Sequence, residues 1–155
     1  GDASDGEAQQ VLKQEMYSIV DKTGIGEHVD FRGFLPHKDV IQAYYNHHVL
    51  LAPSVTATDG DTEGGAPVTL IEAEATGMPV VGSHHCDIPE VVVNGETGIL
   101  APERDVDKLA DALLSLWKAP HRVETFGVAA RNHIEDQYSA ARQGYKLAQL
   151  YNSVL

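Results

Sequence analysis

Two short apolar runs, joined by a glycine loop and one helix, constrain this chain more than any other feature. Val49-Leu50-Leu51-Ala52 ends at Pro53. A polar stretch of Gly, Thr and Asp leads to Glu63-Gly64-Gly65-Ala66-Pro67. Val68 to about Thr76 reads as a helix that Pro67 opens as its first residue and Gly77 stops, and the apolar Val80-Val81 follows at once. A run this short, without polar alternation, is the habit of a parallel strand covered on both faces. Parallel neighbours need a crossover between them, and the Pro67 helix supplies it. The expected fold is therefore α/β, a Rossmann-like parallel sheet with flanking helices.

The flanks extend this reading. Glu7 to Lys22 carries Ala8, Val11, Leu12, Ile19 and Val20 at helical steps, with Thr23-Gly24 as the stop. His28 to Gly33 alternates like a strand, and Val40, Ile41, Tyr44 and Tyr45 mark a short helix after Pro36. Beyond Val81, Ile88 to Val93 is a short helical or extended piece, Asn94-Gly95 a turn, and Ile99-Leu100 a last short strand. The C-terminus is helical. Asp105 can cap a helix through Trp117, a second covers about Val123 to Asp136, and Ser139 can cap a third. Tyr44, Tyr45 and Trp117 sit at helical spacing and read as core.

Charge narrows the function classes. The formal net charge is −12, which argues against non-specific nucleic-acid binding and against a polybasic membrane patch. No apolar run reaches the ~20 residues of a membrane span. A single cysteine, Cys86, excludes an internal disulfide and fits a reducing cytoplasm. From Asp39 through Glu103 the sequence has no Lys or Arg. Any diphosphate held in that interval needs cations from elsewhere.

The interval nevertheless has the parts of an anion and polyol site. In open α/β sheets ligands sit outside the carboxyl ends of the strands, where the loops after Ala52 and Val81 lie. The Pro67 helix points its amino end there, carrying roughly half a positive charge. Glu63 and Glu72 can accept hydrogen bonds from sugar hydroxyls. Glu74 reads as solvated, and Glu90 as a brace of its own turn. His84, His85, Cys86 and Asp87 include metal-ligand types. Adjacent residues rarely aim at one ion, and no second cluster stands at ligand spacing, so no metal is expected. No partner base is identifiable for a catalytic thiol at Cys86. His47-His48 reads as structural.

Five motifs in order carry a family resemblance: Pro53-Ser54, Glu63-Gly64 through Glu72-Ala73, Gly77-Met78-Pro79-Val80-Val81, Ile88-Pro89-Glu90-Val91-Val92, and Asn94-Gly95-Glu96-Thr97-Gly98-Ile99-Leu100. Together they resemble the C-terminal, donor-binding domain of glycosyltransferase family 4, the group 1 enzymes of the GT-B fold. Val29 to Leu35 and Leu109 to Leu113 fit the same pattern, so the resemblance spans nearly the whole chain. It implies a retaining glycosyltransferase that moves a sugar from a nucleotide-sugar donor to an acceptor glycan, lipid or small molecule. It implies that Glu72 contacts the donor ribose and that Glu63 stands near the donor sugar as the catalytic position. Gly64, Gly65, Ala66 and Pro67 would meet the sugar and diphosphate through their backbone. Val68 and Thr69 would open the helix beneath the diphosphate, and Gly33, Phe34 and Leu35 would line the nucleobase pocket. Two departures stand out. Glu63 and Glu72 are one residue further apart than is usual, and Ser83 to Asp87 replaces a glycine pair carried by many members.

The resemblance also implies what precedes Gly1. The acceptor-binding N-terminal domain and the first strands of this domain would lie upstream, with an Arg/Lys pair that grips the diphosphate. The chain, residues 1–155, would then hold half a donor site and be inactive alone. The protein would be cytoplasmic or peripheral at a membrane through the missing domain. Two other readings remain open at this level: a catalytically silent nucleotide-sugar-binding or scaffolding subunit, and a GT-B nucleotide-sugar epimerase.

Overall fold

A computed structural model describes residues 7–62 and 64–154. Glu63 and the opening residues 1–6 lie outside the described residues, and with them the catalytic expectation for Glu63. The chain divides into two compact units, Gly1–Val40 and Ile41–Leu155.

In the first unit, α1 covers Glu7–Thr23, and Gly24 follows in the left-handed region at φ +68°. The Thr23 hydroxyl bonds back to the Ile19 carbonyl at 2.7 Å, so the helix ends where the glycine predicts. A 3₁₀ turn, Gly26–His28, comes next. The strand expected over His28 to Gly33 is not formed. Val29 is extended, at φ −121° and ψ 121°, but extended backbone becomes a strand only by pairing, and no described strand pairs with it. Phe31 instead packs edge-on against Tyr17, with ring centroids 4.4 Å apart. Helix α2, His37–Asn46, carries the chain from this unit into the next.

Among the described residues the second unit is built on three parallel strands, β1 (Leu50–Ala52), β2 (Val80–Ser83) and β3 (Gly98–Ala101), in the order β1-β2-β3. Val81 pairs with Leu51 on one side and Ile99 on the other. All four residues of β2 are buried. Alternation along the strands sends Val80 and Leu100 into one core, with Leu70, Ile88, Val91, Val92 and Ile134. Val81 enters a second core with Ala112, Leu116 and Phe126. Helices α3 (Val68–Ala75), α4 (Ile88–Val91) and α6 (Pro120–Gln137) supply the first core, and α5 (Val106–Lys118) with α6 the second. Helix α7, Ala140–Val154, finishes the chain. The fold is the α/β parallel sheet with flanking helices and helical C-terminus that the sequence implies.

Three local readings are corrected. Pro67 is the cap residue rather than the first helical one, with ψ 122°; the helix proper begins at Val68. Tyr44 is buried, but Tyr45 is 62% exposed and Trp117 is 76% exposed. Each of the two exposed rings sits one step around its helix from a buried neighbour, Tyr44 and Leu116, which turns it about 100° off the core stripe. Glu74, expected in solvent, is fully buried. Leu70, Ala73 and Glu74 share one face of α3, and that face is the core face.

Glu74 is held by one strong contact. The Thr97 hydroxyl donates to its Oε1 at 2.8 Å, while Oε2 has no hydrogen-bond partner. Thr97 Oγ1 in turn accepts from the Val93 amide at 2.9 Å, and Asn94 Oδ1 accepts from the Leu100 amide at 2.9 Å. The turn that feeds β3 is thus tied to α3 through a carboxyl group. Burial pushes that group up to about 7, against a smaller lowering by the Thr97 bond.

Close approach of backbone sets the α3–α6 spacing. Gly77, at φ +84°, ends α3, and a Cβ on Gly127 of α6 would overlap its carbonyl oxygen. Gly127→Ala is expected to destabilise the chain by about 1–3 kcal/mol in urea denaturation. Gly144→Ala, at a helical position with open space around it, is expected to be neutral or to stabilise by up to about 1 kcal/mol. Equal effects at the two sites would remove the packing argument. A second measurement concerns Glu74. Its folded-state proton affinity is raised, so its contribution is fully present below the ordinary carboxyl value near 4.5. That contribution is lost as pH rises through about 7, by up to about 3 kcal/mol. Glu74→Gln keeps the Thr97 bond without the charge and is expected to flatten this pH dependence. Persistence of the same slope in the variant would assign the effect to other groups.

Candidate functional site

The carboxyl ends of β1, β2 and β3 open onto three loops, and a polar network joins them. The Ser83 hydroxyl donates to the Ser54 carbonyl, which ties the loop after β1 to the end of β2. The His84 amide donates to Ala101 O at 2.8 Å, linking the exits of β2 and β3. Glu103, after β3, accepts from the Thr56 amide at 2.8 Å and from the Thr56 hydroxyl at 3.2 Å. Its Oε1 also lies 2.7 Å from His85 Nδ1, whose ring is buried. These bonds, the Thr56 amide first, hold the Glu103 carboxyl below its usual range. Arg104, one residue beyond the cation-free stretch, donates to the Thr56 carbonyl and brings a guanidinium onto the same loops.

Helix α3 meets this region with its amino end. Among the described residues no side chain caps Pro67, and the first amides to bond within the helix are those of Leu70 and Ile71, both to Pro67 O. The Val68 and Thr69 amides precede them and have no acceptor inside the helix. Gly64 and Gly65 lead in at φ +50° and +78°, with no atom near where either Cβ would stand. Two glycines in the left-handed region turn the chain sharply and leave its amides accessible. Ala66 and Pro67 are half-buried, and Val68 and Thr69 are exposed.

Glu72 stands one turn further along α3, on the face of Val68. It is half-buried, and it sits near Tyr44 of α2. Burial first, and the Glu72 charge second, raise the Tyr44 hydroxyl above its ordinary value. Sequence reasoning placed Tyr44 in the core by spacing, and the structure buries it there. The second unit therefore brings Glu72, Gly64, Gly65, Ala66, Pro67, Val68 and Thr69 onto one helix start. Gly33, Phe34 and Leu35 belong to the first unit, where Gly33 has φ +60° and Phe34 is 79% exposed. Sequence reasoning also missed His85 and Glu103 as a pair, and found no base for Cys86. The structure places Cys86 Sγ 3.4 Å from His85 Nε2.

At the other end of the strands lies an apolar recess of about 520 Å³ between β1, α5 and α6, lined by Val49, Leu113, Leu116, Trp117 and Val123, with His48 and Glu124 at its polar edge. Among the described residues no helix is long and apolar enough to cross a membrane.

Comparison with known proteins decides the family. The sequence pattern described as "Glycosyl transferases group 1" matches residues 6–133. The chain belongs to the group 1 glycosyl transferases. It is 36% identical, over 83% of its length, to an amylovoran biosynthesis glycosyltransferase of Erwinia amylovora, of which it covers 31%. Among solved structures it resembles a sucrose-phosphate synthase from Thermosynechococcus elongatus, with a TM-score of 0.80 and 24% identity over 99% of the chain and 37% of that structure. It also resembles an Anabaena protein crystallised with UDP-glucose, with a TM-score of 0.78 and 20% identity over 96% of the chain and 38% of that structure. This group 1 chain spans about a third of the length of the curated relatives it matches.

The network makes a prediction for this glycosyl transferase chain. In Glu103→Gln the charge shared by Thr56 and His85 is gone, and hydrogen exchange at the Thr56 amide is expected to accelerate about ten-fold or more. Exchange within α6 stays unchanged. The lowered proton affinity of Glu103 means the wild-type tie holds above the ordinary carboxyl range and loosens only as pH falls below it. Unaltered Thr56 protection in the variant would show that the loops are held by other contacts.

Proposed function

We infer that this chain is the donor-binding half of a retaining glycosyltransferase of family 4: a GT-B C-terminal domain, residues 1–155, whose first strands and acceptor-binding N-terminal domain lie upstream. The observation that carries the reading is the amino end of α3, uncapped by any described side chain and preceded by Gly64 and Gly65 in left-handed conformation, with Glu72 one turn behind it. That arrangement sits at the carboxyl ends of a parallel sheet, the place where such folds bind ligands.

A nucleotide-sugar donor fits these parts. The Val68 and Thr69 amides and the helix dipole face the diphosphate, whose negative charge grows as the glycosidic bond breaks. Glu72 accepts the ribose hydroxyls, with Tyr44 behind it. Gly65 and Ala66 let the backbone approach the sugar. Glu63 positions the donor sugar. Cations from upstream complete the diphosphate site, in keeping with the stretch free of Lys and Arg from Asp39 through Glu103. No metal is required in this scheme. The acceptor, a glycan, lipid or small molecule, binds through the N-terminal domain, which also sets any attachment of this cytoplasmic protein to a membrane.

Calorimetry of the intact protein with a panel of nucleotide sugars tests the reading. Glu72→Ala is expected to weaken the preferred donor about 10- to 100-fold, the loss of charge-assisted hydrogen bonds to two hydroxyls. Unchanged affinity for every donor would remove Glu72 from the site.

A further inference from the structure

The Glu74 carboxyl is a buried titratable group that sugar transfer leaves unused, and a single exposed turn is fastened to it. Glu74 is 0% exposed and Thr97 1% exposed, while Asn94, Gly95 and Glu96, between α4 and β3, stand in solvent. The turn over residues 93–97 closes on itself. The Thr97 amide donates to Val93 O at 2.9 Å, and the Gly95 amide to Gly98 O at 2.8 Å. Thr97 is its inner pin. The Thr97 hydroxyl accepts from the Val93 amide at 2.9 Å and donates to Glu74 Oε1 at 2.8 Å. A hydroxyl has one hydrogen to give, so Glu74 Oε2 is left without a partner among the described residues.

The surroundings of Glu74 give an anion little else. On α3 itself the carboxyl lies in the last turn, at the negative end of the helix dipole. Two more carboxylates come from α4 and the residue before it. Burial first, then the charges of Glu90, Glu74 and Asp87, raise the Tyr138 hydroxyl above its ordinary value, so three acids stand near one phenol. That phenol gives its hydrogen to Glu90 O at 2.7 Å. From α6, Arg131 is exposed and donates to Glu135 at 2.9 Å and to Ala75 O at 3.3 Å. His133 sets its ring edge-on against Tyr138, and its buried Nε2 has no described partner. Strand β2 carries no titratable group, and the exposed Glu96 adds a further carboxylate on the turn. One hydroxyl is too little for a buried charge, so an ionised Glu74 has to be met by water. None of residues 93–97 belongs to either apolar core, so the turn can lift without breaking one.

We propose that Glu74 and Thr97 form a proton-operated latch on the turn over residues 93–97, shut while the carboxyl holds its proton and opened locally to water when the proton leaves to solvent. Opening gives up the bond from the Val93 amide to Thr97 and the bond from the Leu100 amide to Asn94 Oδ1, which guides the chain into β3. The sign follows from burial, which raises the carboxyl to about 7 in the closed state. The shut turn is fully favoured below the ordinary carboxyl value, loses about ten-fold in its favour per pH unit above it, and loses no more once pH exceeds about 7. The latch holds the carboxyl end of α3, opposite the donor candidate, and it is tested without a nucleotide sugar. Its outcome is therefore independent of the donor assignment.

Hydrogen exchange of the intact protein tests the latch, read residue by residue by NMR and corrected for the intrinsic pH dependence of amide exchange. In the wild type the protection of the Val93, Thr97 and Leu100 amides is expected to fall about 30-fold between about pH 5 and pH 7, then to level off. Because the opening is local, these amides are expected to stay at least about ten-fold less protected than the Leu116 amide of α5. Their exchange is expected to ignore about 1 M urea, which speeds that of Leu116. Glu74→Gln keeps an acceptor for Thr97 and has no proton to lose, so its turn is expected to hold one protection value across the range. In the wild type alone, one glutamate carboxyl carbon is expected to titrate with its midpoint where the protection levels off. That measurement keeps the test decisive even where the variant perturbs folding. Wild-type protection of the turn independent of pH would overturn the proposal, as would the same pH dependence in Glu74→Gln. So would a wild type in which every glutamate carboxyl titrates below about pH 5.5, or a turn whose exchange follows Leu116 in protection and urea response.

Discussion

Strand β2 is the constraint on which the second unit depends. It is paired on both edges and buried at every residue, so it has no freedom of register, tilt or solvation. Its two faces divide the core, Val80 toward α3, α4 and α6, and Val81 toward α5 and α6. Burying two valines completely contributes about 1.5–3 kcal/mol each. A one-residue slip would exchange the two cores and place Gly82 where Val81 packs. The exits of all three strands are therefore held in position before any loop contact forms, and the loops inherit that precision.

On that base, polar contacts take over where apolar ones end. Glu103 and Ser83 reach across strands to backbone and side-chain partners contributed by Thr56, His85 and Ser54. Glu74 does the same beneath the sheet, fixing the turn into β3 through Thr97. The two carboxyl groups are perturbed in opposite directions. Glu103 keeps its charge because amide and imidazole hydrogens surround it. Glu74, with a single donor and an orphan oxygen among the described residues, keeps its proton up to about pH 7.

Much of this was legible in the sequence, and the reason is local. Short apolar runs ended by proline or glycine fixed β1 and β2, Asp105 accepts from the Lys108 amide as a cap should, and Gly77 ends α3 in the left-handed region. Each depends on residues within a few positions of one another. Glu74 was misread although its spacing from Leu70 placed it on the core face, because a carboxylate was taken as solvated by type. The His85–Glu103 pair could not be read at all, since it depends on β2 and β3 lying side by side. The stretch after His28 has strand composition but no described partner, and strand formation is a property of pairs.

The contact between Gly77 and Gly127 has a mechanical meaning. It places a pivot at the carboxyl end of α3, where two backbones touch with nothing compressible between them. The amino end, with its open amides, lies roughly 12 Å away along the eight-residue helix. A side chain introduced at the pivot acts on the far end as on the long arm of a lever. Small residues there regulate aim rather than volume, so drift at a site distant from the crevice would be felt as misdirected amides within it.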